Sequence, residues 1–156
     1  MSTPIGDIPA SSIPAARDWI FAGLRAQLAG RPEVLVCLDG PGTDQPNDIV
    51  SVGESIPQTY SPESTVGSGG PGWLREDYTV MVHVECFRGG DVAAEVFAAA
   101  RALADLVIAV VRSDPSLGGG VQRARPGSIS HTAGWSEDHK GRLVEIEIGI
   151  DCMNTL

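Results

Sequence analysis

The stretch that most limits what this chain can fold into runs from Asp91 to Arg112, DVAAEVFAAARALADLVIAVVR. At about 100° per residue, Asp91, Glu95, Arg101, Asp105 and Arg112 fall on one narrow stripe. Val92, Val96, Phe97, Leu103, Leu106, Val107, Ile108, Val110 and Val111 fill the rest of the circumference, with alanines between them. A surface helix of a globular domain needs an apolar arc of about 100°, and this one is wider. The pattern therefore predicts a helix that lies on a sheet and also touches a second helix or a neighbouring subunit. Arg88-Gly89-Gly90 ends the segment before it, and Asp91 is placed to cap its first amides. Pro115 and Gly118 to Gly120 stop it.

Two alternating segments flank this helix. In Glu76–Phe87, Tyr78, Val80, Val82, Val84 and Cys86 share one face, and Thr79, Met81, His83, Glu85 and Phe87 the other. In Arg142–Met153, Val144, Ile146, Ile148, Ile150 and Cys152 alternate with Leu143, Glu145, Glu147, Gly149 and Asp151. Each segment predicts a strand with one wholly apolar face for the helix to cover. The opposite faces carry Glu85, Glu145, Glu147 and Asp151, which are too acidic to bury without partners.

Ser12, Ile13 and Pro14 open an earlier helix, expected to end near Ala29, with Ile20, Leu24, Leu28 and Phe21 as its apolar stripe. Trp19 lies off that stripe and suits either a sheet edge or a subunit contact. Residues 1–12 are expected to form a mobile arm, and residues 13–156 a single domain. Glu33–Asp39 and the weaker Asp48–Gly53 read as strands. Val121–Ser130 reads as another, with a bulge or an edge position at Pro126-Gly127. Ala133–Gly141 reads as a polar turn. Glu54–Leu74, about 20 residues long, has no periodicity and reads as a loop that orders against a partner, with Tyr60 or Trp73 as its anchor. These elements together predict an α+β fold: a mostly antiparallel mixed sheet with two helices on one face.

The net charge of −9 over 156 residues argues against a surface that grips nucleic acid, which needs clustered Lys and Arg. It is compatible with a surface that DNA passes without sticking. Cys37, Cys86 and Cys152 sit in apolar strand-like runs and read as reduced thiols of a cytosolic protein. The first residues lack a charged start followed by an apolar core, so no secretory signal is expected there, and Leu106–Val111 is too short to span a bilayer. Catalytic or metal chemistry is not expected. His83, His131 and His139 share no metal spacing. Ser130-His131 and Asp138-His139 accompany no nucleophile elbow. Val66–Gly72 lacks the Lys-Ser/Thr ending of a phosphate loop. Glu145 and Glu147 could hold a cation but read more simply as a solvated sheet face. No cofactor is expected.

The ordered set of segments resembles the tail terminator, or tail completion, proteins of long-tailed bacteriophages and related phage-like particles. The likeness runs from about Ile13 to Met153. It rests on the Pro-started helix ending in Leu28-Ala29-Gly30-Arg31-Pro32 and on the strand Tyr78–Phe87, which runs into Gly89-Gly90-Asp91 and the Ala-rich helix. It also rests on the exit Asp114-Pro115-Ser116-Leu117-Gly118-Gly119 and the closing strand Arg142–Met153. The resemblance implies a non-enzymatic virion protein of the tail and neck region, made in the host cytoplasm. Such a protein forms a hexameric ring that caps the tail tube protein, stops its polymerisation and offers a surface to the head–tail connector protein, while DNA only passes through the central hole. On that reading Glu85, Glu145, Glu147 and Asp151 face the channel, Trp19, Phe97 and Ile108 join subunits, and Tyr60 and Trp73 meet a partner. Another neck component, such as a head completion protein, is the first alternative. A ligand-binding α+β domain is the second, and would need a pocket of convergent polar groups that the sequence does not foreshadow.

Overall fold

A computed structural model describes residues 9–43, 45–62 and 74–156. Their elements are, in order, α1 (Ile13–Gln27), β1 (Val34–Leu38), β2 (Asp48–Val52), β3 (Gln58–Pro62), β4 (Leu74–Gly89), α2 (Ala93–Ser113), β5 (Arg123–Trp135) and β6 (Gly141–Thr155). The strands form one six-stranded sheet in the order β1-β2-β4-β6-β5, with β3 alongside the first half of β4. Only β1 and β2 run parallel; the other pairings are antiparallel. The α+β architecture expected from the sequence is the one observed.

The core follows from the two alternations. In the β4–β6 register Val80 faces Ile150, Val82 faces Ile148, Val84 faces Ile146 and Cys86 faces Val144, all at most 1 % exposed. The three Val–Ile pairs are β-branched on both sides and suit a pleated, buried surface. Each such burial contributes about 1.5–3 kcal/mol. Against them α2 packs Val96, Ala100, Leu103, Ala104, Val107 and Val111, and α1 adds Ala16, Ile20 and Leu24 in the same cluster. Part of the excess apolar arc of α2 is taken up by α1. The helices approach so closely that a Cβ on Gly23 would stand 2.8 Å from Val110 Cγ1.

Several local expectations are corrected. Asp91 does not cap α2: the N-cap is Val92, without a side-chain cap, and Asp91 instead pairs with Arg142 across 2.7 Å. Ser12 is the N-cap of α1, but its hydroxyl makes no cap bond and turns to β4. Helix α1 ends at Gln27 with its C-cap at Leu28, next to the expected end near Ala29. The region 54–74 is not wholly loop, because β3 occupies 58–62. Its QTYSP sequence has no buried residue and is held by main-chain pairing to β4. Strand β5 continues through Ala133–Trp135, which the sequence reading placed in a turn, and the register shift between Pro126 and Ser128 is the expected bulge. At Gly127 the Asp151 carboxylate occupies the place a Cβ would need.

One ion pair secures the sheet's far corner. Asp48 is 3 % exposed and takes two bonds from Arg88, at 2.5 and 3.0 Å. Burial works against the charged carboxylate, but the Arg88 guanidinium outweighs it and holds Asp48 below its usual range. Its contribution is present above the unfolded pKa, about 3.9, and is lost as pH falls through the lower folded value. Arg88→Leu leaves Asp48 buried without its ion-pair partner and should cost about 3 kcal/mol at pH 7. The cost should shrink toward pH 3, where protonation relieves the stranded charge. Urea denaturation of both proteins at the two pH values checks this.

Candidate functional site

Sheet parity sorts the candidate residues. On β4 and β6 the even-numbered positions enter the core, and the odd-numbered ones form the face turned away from both helices. Four rows cross that outer face. The first pairs Phe87 with Leu143; the second runs Ile49, Glu85, Glu145, Thr132; the third Ser51, His83, Glu147, Ser130; the fourth Met81, Gly149, Ser128. Glu85, Glu145 and Glu147 thus form one patch. His83 lies within it, its Nδ1 3.8 Å from Glu147 Oε1. Asp151 stands apart on the same face, opposite Thr79, whose hydroxyl donates to it at 2.9 Å, with Arg125 as its β5 neighbour. Between Asp151 and β3 lies an open hollow of about 410 Å³ lined by Gln58, Asp77, Thr79, Arg123, Arg125 and Asp151.

The helix side has a different character at β5. This thirteen-residue strand pairs only with β6 among the described residues, and Gly127–Ala133 is exposed throughout. Ile129, His131, Ala133 and Trp135 point to the helix side beyond the cover of α2. Ile129 is 37 % exposed, Trp135 44 % and Phe97 of α2 39 %. Phe97 stacks on His131 with ring centroids 5.7 Å apart, and Arg101 Nη1 lies 3.0 Å from His131 Nε2. Arg142 lies over the Trp135 ring, 3.7 Å from its centroid. Ile108 is half-buried and lines a shallow apolar hollow with Pro126, Gly127 and Ile129. Ser128–Trp135 contains no Lys, Arg, Asp, Glu or Pro, the residues that usually keep an edge from pairing with another chain.

Of the other candidates, Trp19 is half-buried and packed on the core. Its indole rests on Gly118, where φ is +72° and a Cβ would stand 2.8 Å from Cδ1 and Nε1. The Asp114 carboxylate sets that turn by accepting from the Ser116 and Gly118 amides. Tyr60 lies on β3 and is 56 % exposed; Trp73 is outside the described residues. Cys86 and Cys152 are free thiols pushed up to about 12 by burial, which leaves them without thiolate at neutral pH.

The sequence reading missed one functional-looking group, Glu76. It is fully buried and accepts from Ser11 Oγ at 2.8 Å, the Ser12 amide at 2.7 Å, Ser12 Oγ at 2.6 Å and Gln58 Nε2 at 2.7 Å. The end of the segment expected to be a mobile arm, Ser11 and Ser12, is therefore tied down. Parity carried the signal: Glu76 continues the inward series of Val80 and Tyr78.

The fold defines an α+β protein whose sheet is covered by helices on one face and, among the described residues, carries no helix on the other. No protein-family model and no curated protein matches the chain. Among solved structures, a chain of the "Virion of native gene transfer agent (GTA) particle" is similar at a TM-score of 0.42 and 15 % identity, over 94 % of this chain and 100 % of that one.

Proposed function

We propose that this chain is a structural, non-catalytic protein of a phage-like virion: a tail terminator whose copies close into a ring on the end of the tail tube. The observation that carries the reading is the second half of β5, Ser128–Trp135, an uncharged stretch of edge strand exposed over Ser128–Ala133 and flanked by Phe97, Ile129 and Trp135. A heterologous contact between two different surfaces of one subunit generates a closed ring when its rotation closes. Among the described residues β1 at the sheet's other end pairs only with β2, so such a contact has two unlike edges to draw on. The ordered likeness of the sequence to tail terminators supports the same reading.

In such a ring the outer sheet face is the surface available to line a channel. Glu85, Glu145 and Glu147 would repeat around it and repel DNA phosphates, letting a duplex slide. Charge reversal at the two β6 positions, Glu145→Lys with Glu147→Lys, should slow DNA ejection while leaving ring assembly intact. Ejection at the unaltered rate counts against a channel-facing position. Electron microscopy of particles assembled without this chain tests the role itself. Tubes of uncontrolled length beside unattached heads are expected. Normal-length tails that merely lack heads would assign the chain to another neck component.

A further inference from the structure

We propose that the outer sheet face holds a divalent transition-metal site formed by His83, Glu85 and Glu145. Strand pairing brings these residues together from two distant segments. Glu85 and Glu145 stand directly opposite each other in the β4–β6 register, and His83 lies one pleat along on the same face. One ligand atom from each falls within 4.8 Å of the other two, and all three residues are half-buried. Like charges directly opposed across a strand pair destabilise it. Neither glutamate has a cationic side chain bonded to it among the described residues. The surroundings sharpen that repulsion: Ile49, the β2 neighbour of Glu85, is 3 % exposed, and the Phe87–Leu143 pair closes the next row.

A second observation points to a missing ligand. Ser51 stands opposite His83 on the same face and is 1 % exposed. Its Oγ is buried and makes no hydrogen bond of good geometry, having beside it only the weakly bonding Cys37 thiol across the β1–β2 pair; an unsatisfied buried polar group costs about 1–3 kcal/mol. A water on a metal bound beside His83 would supply that bond. Glu147, 3.8 Å from His83 Nδ1, is placed to orient the imidazole, the role a carboxylate commonly plays beside a metal-bound histidine.

One imidazole and two carboxylates form a nitrogen–oxygen set suited to Zn²⁺ or Mn²⁺ rather than to Ca²⁺, which takes oxygen ligands alone. Bonds of about 2.0–2.2 Å require the ligand atoms to draw together by about 1 Å, which half-exposed glutamate side chains achieve by rotating. The remaining coordination positions open to the face and would be taken by water. All ligands come from one chain, so the site does not depend on ring formation, and its failure would leave the proposed function untouched.

Calorimetric titration of the full chain with ZnCl2 and with MnCl2, beside thermal unfolding with and without each salt, tests it. One ion per chain is expected, with a rise in Tm that MgCl2 does not reproduce. His83→Gln and Glu145→Gln should each weaken binding at least tenfold, and Glu147→Gln by about tenfold. Glu85→Gln separates the site from mere fold support. It should abolish the metal-induced rise while leaving the metal-free Tm unchanged or higher, because a repulsion has been removed. Absence of saturable binding, or binding that survives all three ligand substitutions, overturns the proposal. A lowered metal-free Tm in the Glu85→Gln protein contradicts the argument from repulsion.

Discussion

Glu76→Ala is expected to remove about 4 kcal/mol of stability, because several buried donors lose their acceptor at once. The Glu76 carboxylate joins three parts of the molecule: the start of α1 through Ser11 and Ser12, β3 through Gln58, and β4, on which it sits. Ser12 Oγ also lies 2.8 Å from the Tyr78 hydroxyl, so the network continues into the core. Charge-assisted bonds of 2.6–2.8 Å are roughly twice as strong as neutral ones, which offsets the cost of a carboxylate in this position. Glu76→Gln keeps the shape but turns an NH2 donor toward the existing donors, and should cost about 1–3 kcal/mol. Urea denaturation gives both values. Hydrogen exchange gives the location: the first turn of α1 and β3 should lose protection together in the Ala variant. A loss below about 1 kcal/mol, or deprotection of only one of the two elements, would show that Glu76 does not couple them.

The second large effect concerns assembly rather than folding. Phe97→Asp with Ile129→Asp should leave the subunit folded, since both side chains are already more than a third exposed and surface substitutions change stability by about 0.5 kcal/mol. Self-association should fall by about 10²–10⁴-fold. That figure is the equivalent of two apolar side chains at about 1.5–3 kcal/mol each, before any penalty for a charge trapped in the contact. Sedimentation of the variant beside the parent protein, with circular dichroism as the folding control, separates the outcomes. Unchanged association in a folded variant would move the contact elsewhere on the molecule. Trp135 is a poorer probe, because Arg142 already covers its ring and a substitution there also disturbs the Asp91 pair.

The strands β4 and β6 and the helix α2 were legible in the sequence because each carries its own period over a dozen residues or more, and tertiary packing agreed with it. The inward positions of both strands were right residue by residue. Strand β3 was not legible: Gln58–Pro62 has neither apolar alternation nor burial, and exists because β4 is long enough to offer an unpaired half. The cap at Asp91 failed for a related reason. A carboxylate near a helix start is a local argument, and the guanidinium of Arg142, brought in by β6, is a stronger partner than free amides. Glu76 was hidden by its neighbours, since Arg75-Glu76-Asp77 reads as a polar strand entrance unless parity is carried back through Tyr78. The grouping of His83 with Glu85 and Glu145 depends on the β4–β6 register, which no spacing along the chain encodes. The apolar excess around α2 was visible, but its division was not: α1 absorbs the part near Val110, and β5 displays the part near Phe97 and Ile129.

The central claim is that the β5 edge and its apolar flank are covered by another copy of this chain. The most direct measurement places a photo-crosslinking amino acid at position 129 and irradiates assembled particles. Adducts at twice the 16.3 kDa chain mass are expected, with the β5 peptide of one copy joined to a different segment of the next, and they should be lost when Phe97→Asp is also present. Position 129 crosslinked only to solvent, or only to a different protein, would contradict it.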